Sequence, residues 1–145
     1  MKSFVPLILL LLILAACTVN PEPIKFGKDA CHACKMTLMD PKFGAELVSK
    51  KGRIYIFDDM NCLVQHIKSN NISEEDIAHL LVIDFANPEN LTDAYQAFYL
   101  NSDAIKSPMA SKIAAFSSAT GRNMYAAEWV DATALSWHDI ENLFE

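Results

Sequence analysis

Hydrophobic and polar positions alternate in two different periods along this chain, and each change of period predicts a new element. Phe43 to Ser49 reads as a strand, Lys50-Lys51-Gly52 as a turn, and Arg53 to Phe57 as the returning strand of a hairpin. The period then lengthens. Met60, Leu63, Val64 and Ile67 fall on one face of a helix that Asp58 or Asp59 caps and Asn70-Asn71 ends. Ser73 opens a second, short helix whose first turn is acidic (Glu74, Glu75, Asp76), as the helix dipole favours. Leu80 to Phe85 is a continuous apolar run, predicted as a buried strand, and Asn87-Pro88 breaks it.

The second half repeats this rhythm. Gln96 to Leu100 is a predicted strand and Asn101 to Pro108 a polar loop. Met109 to Phe116 is the partner strand, with helix as its alternative, and Ser117 to Ala127 is a helix. Trp129 and Val130 are candidates for a last short strand. Ser136 to Phe144 is a closing helix with Trp137, Ile140, Leu143 and Phe144 apolar. Strand, turn, strand, helix therefore occurs twice. Phe57-Asp58-Asp59 and Phe116-Ser117-Ser118 stand at the matching strand-to-helix corners. The fold class expected is α+β, with two small related units at about residues 24–86 and 87–145.

The N-terminal residues read as an address. Met1, Lys2 and Ser3 precede an apolar run from Val5 to Leu14, broken only by Pro6 and too short for a stable transmembrane helix. Leu14-Ala15-Ala16-Cys17 closes it in the manner of a bacterial lipobox. Residues 1–16 are thus expected to be a cleaved lipoprotein signal peptide, Cys17 the lipidated residue, and residues 17–23 a tether to a domain at 24–145. Thr18, rather than Asp, after the cysteine favours the outer membrane over the inner. With 145 residues, 52% of them hydrophobic, the chain can build one ordinary core, which excludes large multidomain enzymes. Its net charge of −6 makes it a poor binder of polyanions, so nucleic acid is excluded as a partner.

The chain has four cysteines, and lipidation of Cys17 leaves Cys31, Cys34 and Cys62. Three thiols in an oxidising compartment cannot all pair within one molecule, so one stays free or a metal protects them. The segment Asp29 to Asp40 (Asp29-Ala30-Cys31-His32-Ala33-Cys34-Lys35-Met36-Thr37-Leu38-Met39-Asp40) concentrates soft donors that select Cu(I). Cys34 and Met36 can chelate one ion on an extended or turning backbone, whereas on a helix they diverge by about 200°. Met109, in a loop pinned by Pro108, is the best remote candidate to close such a site. Each methionine competes with a core role, Met39 more than Met36, and Met60 and Met124 are assigned to the core.

Other chemistry fits the same residues. Cys31-x-x-Cys34 is a possible redox pair, although Pro41 stops any long helix after it. Cys31, Cys34 and Cys62 with His32 or His66 could hold zinc, and a plain Cys31–Cys34 disulfide is the simplest option. Asp58 and Asp59 read as helix caps, and His66, His79 and His138 as solvent-facing helical positions. No Ser/His/Asp order, phosphate loop or paired carboxylates stand out, so no catalytic residue is assigned.

The lipobox, Cys31-His32-Ala33-Cys34-Lys35-Met36, the Phe43-Gly44 hairpin ending in Phe57-Asp58-Asp59, and Ser107-Pro108-Met109 with Ala115-Phe116 occur together. This combination resembles the NosL family, accessory lipoproteins of nitrous oxide reductase that act as copper chaperones. The resemblance implies two small α+β units similar to part of the organomercurial lyases. It implies Cu(I) held by Cys34 and Met36, with Met109 at the family's Pro-Met position and Cys31 as a supplementary ligand or redox partner. It also implies the apo form of nitrous oxide reductase as copper acceptor and a lipid anchor on the periplasmic side. The family pattern is Cys-Gly-Met, and this chain carries Lys35 where the glycine stands, a residue that does not favour special backbone angles.

Overall fold

Two β-hairpins, each followed by a helix that crosses back to a third strand, organise the chain. The computed structural model describes residues 19–144. The first hairpin is β1 (Ala45–Ser49) and β2 (Ile54–Phe57), turned by Gly52 at φ 85°. Helix α1 (Met60–Ser69) follows, then a 3-10 turn (Glu74–Asp76) and β3 (Ile77–Ile83). In the second unit β5 (Phe98–Asn101) and β6 (Ile113–Phe116) form the hairpin, followed by α2 (Ala119–Glu128) and β7 (Thr133–Leu135). Helix α3 (Trp137–Leu143) closes the chain behind a capping box at Ser136 and Asp139.

The sheet orders show the repeat. β1 is flanked by β2 and β3, and β5 by β6 and β7, all antiparallel. Each unit thus places its first strand in the centre. The first sheet gains an outer strand, β4 (Leu91–Asp93), which pairs with β3. The fold is mixed α/β with two small antiparallel sheets. Asp84 joins them through a parallel bridge to Ala115, and Phe85 N–H donates to the Ala115 carbonyl at 2.8 Å. Desolvation of the Asp84 carboxyl is more than offset by bonds from Ser117, Asn87 and the Ala86 N–H, which hold it below the usual carboxylate range.

The main core draws on both units: Leu47, Leu63, Val64 and Leu80 pack with Tyr99, Ile113, Trp137 and Ile140. A second cluster of Phe43, Phe85, Leu100 and Phe116 lies under Tyr125 and Trp129. Among the described residues no helix is long and apolar enough to cross a membrane.

Several details differ from the sequence reading. The second partner strand starts at Ile113, not Met109, because Ala110 and Lys112 take left-handed angles and Asp59 captures the N–H groups of Met109 and Ser111. His79 lies on β3, since Ser73 opens only a 3-10 turn. Val130 is fully exposed in a turn and the last strand forms three residues later. The turn is fixed by Trp129 N–H to Tyr125 and Ala132 N–H to Trp129.

Two buried carboxylates make measurable contributions. Asp59 caps α1 by accepting from Met60 N–H at 2.6 Å. It also accepts from Met109 N–H at 2.8 Å, from Ser111 N–H at 3.2 Å and from the Ser111 hydroxyl. It therefore locks the 107–111 loop of the second unit onto the first. Asp59→Ala should lower unfolding free energy by ~2–4 kcal/mol, read by denaturant melts, since a cap and a buried acceptor are both lost.

Glu46 points to the face of β1 opposite Ala45 and Leu47 and is fully buried. Its Oε1 accepts from Glu22 N–H at 3.1 Å, while Oε2 has no partner among the described residues. Burial pushes its pKa up. The folded carboxyl holds its proton to higher pH than the unfolded one, so stability falls as pH rises through the unfolded and then the folded value. Glu46→Gln should remove that fall, adding about 1 kcal/mol near pH 8 and little near pH 4, as melts at the two pH values will show.

Candidate metal centre

Residues 30–37 double back to form the wall of a thiol cluster. Ala30 and Thr37 make an antiparallel bridge. Inside it Cys31 N–H donates to the Met36 carbonyl at 2.8 Å and Lys35 N–H to the Cys31 carbonyl at 3.0 Å. His32 N–H donates to the Ile56 carbonyl at 2.7 Å and ties the loop to β2. Lys35 adopts φ 67°, so the residue in the glycine's place takes the left-handed angle, at a cost of about 1–2 kcal/mol. Its ammonium bonds the His32 carbonyl at 2.6 Å. The backbone through Cys34, Lys35 and Met36 is non-helical, the condition for a two-residue sulfur chelate.

The Sγ atoms of Cys31, Cys34 and Cys62 and a carboxylate oxygen of Asp58 all lie within 4.8 Å of one another. The loop supplies the first two. The strand-to-helix corner supplies the others: Asp58 lies just before the extended cap residue Asp59, and Cys62 is in the first turn of α1. Cys31, Asp58 and Cys62 are buried, and Cys34 is half-buried and forms the mouth. Cys34 Sγ donates to Asp58 Oδ2 at 3.2 Å, whereas Asp58 Oδ1 is buried without a partner among the described residues. A buried carboxylate oxygen left open next to three thiols is suited to accept a cation.

Among the three thiols the surroundings favour the anion at Cys31. Donation from the Cys62 thiol, outweighing burial and aided by the N–H groups of Cys34 and Asp58, lowers Cys31 to about 6. Burial, then the neighbouring Cys31 and Asp58, raise Cys34 to about 11. Cys62 is pushed up by its bond to Cys31 and by burial. Cys31 is therefore the most readily ionised of the three, and an arriving soft cation would displace protons from the others.

The expected site residues are placed as follows. Cys31 and Cys34 come together, and all three described thiols are free. Met36 is 53% exposed, so no packed hydrocarbon holds it, and its carbonyl closes the Cys31 loop. Met109 is half-buried against the main core. Its N–H is held by Asp59 and its carbonyl by Asn61 at 2.8 Å, residues directly adjacent to Asp58 and Cys62. Cys17 lies outside the described residues.

Met124, assigned to the core from sequence, is 65% exposed, and α2 buries none of its residues; Met39, for which a core role competes most strongly, is 71% exposed. Met60 is in the core. Asp58 escaped the sequence reading because one cap was expected and two adjacent aspartates competed for it. The available signal was that Asp59 alone suffices as cap, which leaves Asp58 free for another role.

His32 and His66 are not in the cluster. They stack with Tyr55, the His32 ring centroid lying 4.7 Å from Tyr55 and 5.5 Å from His66. Burial lowers the pKa of both, followed by Lys35 and Arg53 at His32, and by His32 and Lys35 at His66.

Comparison with known proteins places this geometry in context. The fold is similar to the crystal structure of the copper chaperone NosL from Shewanella denitrificans, with a TM-score of 0.68 over 81% of this chain and 92% of that one. Sequence identity to it is 16%. No curated protein matches the sequence. The NosL family model matches residues 23–144, nearly the whole described chain, and the chain belongs to the NosL family.

Proposed function

We propose that this chain is an extracytoplasmic, lipid-anchored Cu(I) chaperone, without catalytic turnover, that delivers copper for assembly of the copper centre of nitrous oxide reductase. The observation that carries this reading is the three-thiol cluster whose most accessible member, Cys34, stands two residues from the exposed thioether of Met36. Family membership and the likeness to a protein described as a copper chaperone support it. In this account Cys34 as thiolate and Met36 take the ion at the mouth. Met109, on the loop that Asp59 fixes, closes the site, and Cys31 supplements it. A soft monovalent ion suits a thiolate and uncharged thioethers. Low coordination leaves an open face, so acceptor ligands attack before donor ligands leave and no free ion is released. Cys17 provides the anchor, facing the periplasm, with the outer membrane favoured.

A second reading is supported by Asp58. Three thiols and a carboxylate at mutual distances under 4.8 Å also match a four-ligand Zn(II) site, with Asp58 in place of His32 or His66. The chain would then be a zinc-stabilised scaffolding lipoprotein. The alternative of a thiol-disulfide reductant through Cys31 and Cys34 is disfavoured by the complete burial of Cys31.

Anaerobic Cu(I) titration of the chain from Thr18 tests these readings. Wild type should bind one equivalent. Cys34→Ser should abolish binding, and Met36→Leu and Met109→Leu should each weaken it by ~10–100-fold, the range seen when a supporting group of a metal site is lost. Unchanged affinity in both methionine variants, with unfolding by a zinc chelator, would replace the copper reading with the scaffold.

A further inference from the structure

The start of the described chain lies against an exposed cationic turn. Val19 Cγ2 is 3.9 Å from where a Cβ on Gly52 would sit, and the Val19 carbonyl is 3.1 Å from His79 Nε2. Gly52 belongs to the β1–β2 turn, Lys50-Lys51-Gly52-Arg53. All three cations are exposed, and among the described residues none of them forms a salt bridge. Behind the turn is a cleft of about 630 Å³ with Leu47, Tyr55 and Ile72 in its wall and the three cations among its lining. Arg53 is steadied by donation to the Tyr55 hydroxyl at 3.4 Å. Asp76 is the one acid in the lining, and Ser73 already donates to its Oδ2 at 3.0 Å.

We propose that this turn and cleft bind the anionic headgroups of the membrane in which Cys17 is anchored, an inference that rests on the reading of Cys17 as the lipidated residue. Cys17 stands two positions before Val19, a reach of at most ~7 Å. That is within the ~8 Å over which charges remain unscreened at physiological salt. An acyl chain at Cys17 therefore brings the turn to the bilayer surface. The remainder of a chain of net charge −6 is repelled by an anionic surface, so this cationic corner fixes the orientation. The lipid at Cys17 holds the molecule at the membrane, and the basic residues add the electrostatic attraction that orients it. β2 leads from this turn to Asp58, about 16 Å along the strand. A molecule docked by the turn holds its sulfur cluster away from the lipid and open to a partner.

Lysine footprinting of the full mature chain on vesicles tests the proposal. Intact mass first establishes acylation of Cys17, and its absence would overturn the anchoring reading and this inference with it. On acylated protein, acetylation of Lys50 and Lys51 should slow about threefold or more on phosphatidylcholine vesicles containing phosphatidylglycerol, relative to phosphatidylcholine alone. Lys106, in the second unit, should be unaffected, and high salt should remove the difference. Equal labelling of Lys50 and Lys51 on the two vesicles would overturn the proposal. So would protection by soluble hexaglutamate but not by vesicles, which would assign the turn to an acidic protein.

Discussion

Two adjacent carboxylates at the end of β2 point to different tasks, and the organisation of the site depends on that division. Asp59 caps α1 and gathers the backbone of Met109 and Ser111 from the second unit. Asp58 enters the thiol cluster with one oxygen bonded to Cys34 and the other without a partner among the described residues. Burying two neighbouring acids is costly unless each is satisfied. Asp59 is satisfied by four donors. Asp58 is not, and a buried acceptor with no donor is the feature that a cation would complete.

The internal repeat shows what was added to the first unit. At the equivalent corner of the second unit Ser118 caps α2 through Gly121 N–H, as Asp59 caps α1. Ser117 occupies the place of Asp58 and donates to Asp84 at the joint between the sheets. One topology thus carries a structural hydroxyl at one corner and a buried carboxylate beside thiols at the other. The loop 30–37 brings two of those thiols and has its backbone fixed by His32 to β2 and by the left-handed Lys35.

Much of the fold was legible because local chemistry and tertiary need agree. The β1–β2 hairpin follows from Lys50-Lys51-Gly52 between two apolar runs, and the helices begin at the cap residues Asp59, Ser118 and Ser136. β4 was not legible: Leu91–Asp93 is three half-buried residues with no alternation to read. Met109 was drawn into a strand because sequence cannot show that a distant aspartate claims its N–H. In the site, Cys31, Cys34 and Met36 stood out by density of sulfur within a few residues. Cys62 is legible only as a zinc candidate and Asp58 only as a cap, because their partnership exists only when the loop folds over the helix start.

The central claim is that a soft monovalent ion is held by sulfur contributed from the 31–36 loop and its surroundings. X-ray absorption at the copper edge on the Cu(I)-loaded protein addresses it most directly. The account predicts a shell of nearest neighbours dominated by sulfur, which loses a sulfur scatterer in the Cys34→Ser protein. A shell dominated by nitrogen or oxygen, or one indifferent to the loss of Cys34, would contradict it.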